Sequence, residues 1–222
     1  TVVGPTLGQE AINSGLMSFV IALLLILAYM AFYYSSAGIV ADLALLANLF
    51  FVVGVLASIG ATLTLPGIAG IVLTIGMSVD ANVLIYERIR EELRAGKGVR
   101  LAIVDGYKNA YSSIIDANIT TLLTGIILYI FGSGPIKGFA TTLIIGIATS
   151  LFAAIFITRL LFEWRLDSNS KPSFSTKLTE NVLTKVAIPF VKKRKMYYAI
   201  SGVVILIGLG SLFTQGLNYG VD

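Results

Sequence analysis

The feature that most constrains this chain is a series of near-continuous apolar blocks, each about as long as the 20 residues an α-helix needs to cross roughly 30 Å of hydrocarbon. Such blocks occupy residues 11–32, 39–59, 68–86, 114–131, 139–161 and 197–213. In lipid only helices and closed barrels satisfy every backbone polar group. The pattern therefore predicts an all-α, polytopic membrane protein with six transmembrane helices. Composition agrees, since 56% of residues are hydrophobic and 13% are charged, about half the charged share of a soluble domain.

Three connections are short and carry turn residues: Ser35-Ser36-Ala37-Gly38, Thr64-Leu65-Pro66-Gly67 and Gly132-Ser133-Gly134-Pro135. Tight links of this kind predict antiparallel neighbours. Two longer connections, residues 87–111 and 163–195, hold or adjoin every Lys and Arg except Lys137. Two spans separate them, so they share one side, and the positive-inside rule makes that side cytoplasmic. Both ends of the chain then face outward. The first charged stretch continues the third span as a helix to Arg94, breaks at Gly96 and Gly98, and resumes as a short amphipathic segment over 99–107. Residues 167–172 read as a polar linker.

Several function classes drop out. The chain has no cysteine and no histidine, which removes disulfides, thiolate metal sites, the usual metal ligand and the commonest general base. No catalytic residue, metal or cofactor is expected. The net charge of +4 lies beside membrane spans, so it does not signal nucleic acid. The basic run Lys192–Lys195 sets orientation and can also meet anionic membrane lipids. The chain opens at Thr1 without a Met-led leader and stops at Asp222 just past a span, which reads as a piece of a longer protein.

Small residues recur every fourth position along the fifth span: Gly134, Gly138, Thr142, Gly146, Ser150, Ala154 and Thr158. Ser113, Ala117, Thr121 and Gly125 repeat the pattern in the fourth. Such stripes let helices approach closely in lipid, either for static packing or for sliding. Gly138, Gly146 and Ser150 are the expected packing positions.

Three acids fall inside spans. Asp42 is near the charged end and reads either as reaching water or as functional. Asp80 lies deeper, and a carboxylate at that depth costs a few kcal/mol on insertion scales. Burial in low dielectric disfavours the charged form of a carboxylate, which suits proton handling, though a structural polar contact is the other reading. Asp116, in the next span and nearer the interface than Asp80, belongs to a near-copy of the same site: Val79-Asp80-Ala81-Asn82 against Ile115-Asp116-Ala117-Asn118. Residues i and i+2 of a helix point about 200° apart, so each acid and its Asn82 or Asn118 serve different neighbours. Thr120 and Thr124 follow Asp116 on one face and could extend a hydrated path.

Those residues carry a likeness. Gly76-Met77-Ser78-Val79-Asp80-Ala81-Asn82-Val83-Leu84-Ile85-Tyr86-Glu87-Arg88 closely resembles the hallmark membrane motif of SecD, and Ile115-Asp116-Ala117-Asn118-Ile119-Thr120-Thr121 resembles the motif of the following SecD span. Gly4-Pro5-Thr6-Leu7-Gly8 is similar to the lead-in to the second SecD span. Lys193-Arg194-Lys195 through Asp222 resembles the start of SecF. The resemblance implies a fused SecDF type divided as follows: the end of a periplasmic segment (1–10), a five-helix SecD-like domain (11–162), a cytoplasmic linker (163–195), the first SecF-like helix (196–215) and the start of a second periplasmic segment (216–222). It implies one half of a twelve-helix bundle of the RND superfamily, in a bacterial inner membrane. It further implies that the proton motive force helps draw a translocating preprotein from the SecYEG translocon. On this reading Asp80 is the proton-relay acid, Asp116 a second, and further charged partners lie in the SecF half.

Other classes fit less well. An RND-type exporter of lipids or small molecules shares the scaffold. An intramembrane aspartyl protease would carry Gly-x-Gly-Asp, whereas Gly76-Met77-Ser78-Val79 precedes Asp80. A passive scaffold for the translocon predicts that Asp80→Asn is silent.

Overall fold

The computed structural model describes residues 5–61, 64–168, 170–180 and 189–216, except the side chains of 5–11 and 215. Among them are seven α-helices and no strand: α1 (Pro5–Tyr34), α2 (Ser36–Ser58), α3 (Leu65–Arg94), α4 (Val99–Phe131), α5 (Pro135–Phe152), α6 (Thr158–Asp167) and α7 (Arg194–Gln215). A π-helical turn, Ala153–Ile157, joins α5 to α6, so Pro135–Asp167 is one continuous span. Six helical stretches are thus long and apolar enough to cross a membrane, as the six apolar blocks predict. Of the terminal segments 1–10 and 216–222, residues 1–4 and 217–222 lie outside the described residues.

Local chemistry sets the helix ends. The Thr64 hydroxyl accepts a hydrogen bond from the Gly67 amide at 3.1 Å, and Pro66 occupies the first turn of α3, where its missing N–H costs nothing. Gly96, at φ 88°, closes the other end. Before α5, Gly134 takes φ 48° and ψ −118°. Ser35, the single residue between α1 and α2, takes nearly the same conformation, φ 55° and ψ −127°, although it has a Cβ.

The chain divides into two compact units, Thr1–Glu180 and Asn181–Asp222. In the first, α3 is central and packs chiefly on α5 and α4, while α1 pairs with α2. The stripe on α5 faces α3. A Cβ added at Gly146 would overlap the Thr74 side chain, and one added at Gly138 would come within 2.6 Å of the Thr64 hydroxyl. Ser150 is buried in the same row. An α-helix advances about 100° per residue, so a row spaced by four drifts about 40° per step. The wider π turn counters that drift and keeps Ala154 and Thr158 buried.

α4 differs from expectation. The segment over 99–107 is no separate interfacial helix, because α4 runs unbroken from Val99 to Phe131. Ala102, Ile103, Gly106, Tyr107, Ala110 and Ile114 form one buried face, and Gly106 lies directly on the Ile89 backbone of α3. Tertiary burial carries the helix through the residues between. At the corner, the Lys97 ammonium bridges Glu92 (2.6 Å) and Asp105 (2.5 Å). The hydrogen bonds it donates to Asp105 and then to Glu92 raise its pKa above the ordinary lysine value.

Residues 170–180 form no dangling linker. They fold back across the charged end of the bundle, with Pro172, Phe174 and Thr179 buried. The Ala37 amide donates to the Ser173 carbonyl at 3.0 Å, and the Thr179 hydroxyl donates to the Tyr33 carbonyl at 2.7 Å. The second unit contains α7, whose apolar side chains are exposed along its length.

Candidate functional site

Asp80 stands near the middle of α3 and opens onto a groove of about 210 Å³ between α3 and α4. Met77, Ala81 and Leu84 line it from α3, and Ser113, Ala117, Asn118 and Thr121 from α4. Much of the small-residue stripe on α4 therefore forms the floor opposite Asp80. The Asp80 side chain is exposed, and among the described residues it makes no hydrogen bond or ion pair.

The two-residue offset separates acid from amide in both motifs. Asp80 is exposed while Asn82 is buried at 1%; Asp116 is exposed while Asn118 is buried at 9%. The Asn118 amide donates to the Ile114 carbonyl at 2.8 Å. The Asn82 carbonyl oxygen is buried inside the bundle without a partner among the described residues. Thus the Asp80 groove is shared by Asn118 rather than by Asn82.

Asp116 does not line that groove. Nor is it shallower than Asp80: measured from the α3–α4 corner at 1.5 Å per residue, the two acids lie roughly 21 Å and 25 Å along their helices. The Thr120 hydroxyl donates to the Ala117 carbonyl (2.9 Å) and the Thr124 hydroxyl to the Thr120 carbonyl (3.1 Å). Both are committed to their own helix.

Asp42 is half-buried, and its Oδ1 is enclosed with no partner among the described residues. It is the most enclosed of the three acids, since Asp80 and Asp116 are both exposed. A larger cleft of about 520 Å³ opens at the opposite end of the bundle among Leu56, Ile71, Tyr129 and Lys137, and holds none of these acids. There the Lys137 ammonium sits 4.7 Å from the centre of the Tyr129 ring. No cluster of acids able to hold a metal occurs among the described residues.

Six helical stretches able to cross a membrane define a multi-pass α-helical membrane protein, and Asp80, unpaired among the described residues, opens onto the groove between α3 and α4. The family model described as protein export membrane protein SecD/SecF, C-terminal, matches residues 1–167. The chain belongs to the SecD/SecF protein-export family. It is 61% identical over 162 residues to the protein translocase subunit SecD of Rhodothermus marinus, covering 73% of this chain and 26% of that protein. It is 60% identical over 161 residues to the SecD subunit of Desulfurispirillum indicum, covering 72% and 31%. Its fold matches the crystal structure of SecDF, a translocon-associated membrane protein from Thermus thermophilus, with a TM-score of 0.86 and 40% identity over 98% of this chain and 30% of that one. The chain thus spans between a quarter and a third of the length of these relatives.

Proposed function

We propose that this chain is the membrane-coupling part of a protein translocase subunit driven by the proton motive force, acting late in polypeptide export. In this reading it works beside the SecYEG translocon on a translocating preprotein, in a bacterial inner membrane. The charged end faces the cytoplasm, and both chain ends face the periplasm. Asp80 takes up and releases protons. The observation that carries the reading is its position: an unpaired carboxylate halfway along a membrane helix, on a groove floored by small residues, within the SecD motif.

A charge change there biases two packings of the bundle. A proton falling through about 100 mV supplies about 2.3 kcal/mol, while one pKa unit corresponds to about 1.4 kcal/mol. The drive is thus large enough to shift such an equilibrium. Asn118 and Ser113, which share the groove, supply polar company for a hydrated carboxylate, and Asp116 serves as a secondary acid on another face of α4.

Asp80→Asn in the full-length protein tests the reading, because the amide keeps size and shape but cannot titrate. Insertion and ATP-driven translocation should persist while the part of secretion that depends on the proton gradient disappears. A stable variant that exports at the wild-type rate across a gradient would replace this reading with that of a passive scaffold.

A further inference from the structure

We propose that residues 170–180 are a seal, with the Phe174 ring closing the charged end of the bundle over a buried polar row carried by α3. The row is separate from the Asp80 groove and does not depend on Asp80 carrying protons. On α3 it consists of Ser78, Asn82 and Tyr86, one turn apart on a single face and each no more than 1% exposed. Two further enclosed polar groups stand on α2, the fully buried Asn48 and the half-buried Asp42. The Ser78 hydroxyl, the Asn82 carbonyl oxygen, the Tyr86 hydroxyl, both polar atoms of the Asn48 amide and Asp42 Oδ1 are all enclosed without a protein partner among the described residues. This chain's own packing encloses them, so additional segments elsewhere in a longer protein leave them enclosed. Buried polar groups in such a row draw in water. Water on one side of a membrane must not become continuous with water on the other.

The closure is aromatic. Tyr86 lies edge-on to Tyr34, Phe162 and Phe174, at centroid distances of 5.3, 5.7 and 5.6 Å, and Phe174 lies 5.2 Å from Phe162. Ser78 and Asn82 lie behind this layer, farther from the charged end. Of the four rings only that of Phe174 comes from outside the spans, yet it is 2% exposed. Its segment is pinned on both sides. The Ser173 amide donates to the Ser36 hydroxyl at 2.7 Å, beside an Arg165 guanidinium that donates to the Ser36 carbonyl at 2.9 Å. Arg90, itself 4% exposed, donates to the Thr179 carbonyl and to Glu87, both at 2.6 Å. Glu87 also accepts from the Tyr34 hydroxyl at 3.1 Å. Eleven residues of linker are held by helices α1, α2, α3 and α6 together. A connection needed only for length would require none of these contacts.

The test places a single cysteine at Ser78 in the full-length protein, in sealed vesicles of both orientations, and measures labelling by a membrane-impermeant maleimide. In the wild-type background labelling should be slow from either side. Phe174→Ala should speed it from the charged side by at least about tenfold, since loss of a buried Phe exceeds the roughly 1.4 kcal/mol that tenfold represents. Phe174→Leu, which retains an apolar plug, should stay near wild type. Ile147→Cys, on the buried face of α5, reports general loosening. No gain at Ser78, or equal gains at Ser78 and Ile147, would overturn the seal. A gain confined to Ser78 but seen from the opposite face would uphold the seal and reverse the membrane orientation proposed above.

Discussion

Gly146 of α5 lies so close to Thr74 of α3 that the space a methyl group would fill is already occupied by the threonine side chain. Gly146→Leu should therefore destabilise the bundle by about 1–3 kcal/mol or more, as overpacking does in a close helix contact. Thermal unfolding in detergent measures this. Gly76, around which a Cβ would meet nothing, is the contrasting control, and Gly76→Ala should leave stability unchanged or raise it by up to about 1 kcal/mol.

Ser35 and Gly134 occupy the same positive-φ conformation at equivalent helix entries, but only one of them is glycine. Ser35→Gly should stabilise the protein by about 1 kcal/mol, since a side chain there is strained. The melting temperature should rise by about 2–4 °C for a chain of this size. An unchanged or lower melting temperature would show that contacts of the Ser35 side chain outweigh the strain.

Asp116→Asn should weaken gradient-dependent secretion less than Asp80→Asn. The ground is location: Asp116 stands at comparable distance from the corner but outside the groove that Asp80 shares with Asn118. Secretion measured for both variants at equal expression decides it, and equal losses would make the two acids one functional pair.

Orientation has its own check. A reporter inserted at the Gly96–Gly98 corner should read cytoplasmic, and one fused after Asp222 periplasmic, given that every Lys and Arg except Lys137 lies in or beside the two long connections. A periplasmic reading at the corner would invert the membrane assignment.

The spans were legible because lipid imposes one rule on every residue in them, and apolar length alone reports it. The extension of α3 to Arg94 could also be read, from Glu87 to Gly96. Continuity of α4 was hidden, since a polar stretch over 108–113 looks like a break until Ala110 is seen buried against its neighbours. The π turn left a trace: a row of small residues kept at every fourth position for six steps exceeds what an α-helix can hold on one face. The opposed placement of Asp80 and Asn82 followed from helical geometry. The depth ranking of Asp80 and Asp116 did not survive, because it assumed that the fourth span began at residue 114. The docked linker was invisible, as Phe174 is one aromatic in a polar stretch and nothing local announces its pocket. Asp42 was hidden for a related reason, because a position near the charged end of a span does not say how near the next helix comes.

The position of the docked segment in the chain has a consequence for biogenesis. Its anchoring hydrogen bonds join residues 89 to 146 positions apart, and in each case the segment is the later partner. When α1 to α3 leave the ribosome, the linker partners of Tyr33, Ser36 and Arg90 do not yet exist, and Arg90 has only its own helix neighbour Glu87 and the Tyr33 ring. All three wait until residue 180 has been synthesised. Assembly of the first unit therefore finishes with a step outside the lipid after its five spans are in place, and a nascent chain halted before Phe174 would sit in the membrane complete in those spans but with its charged end open.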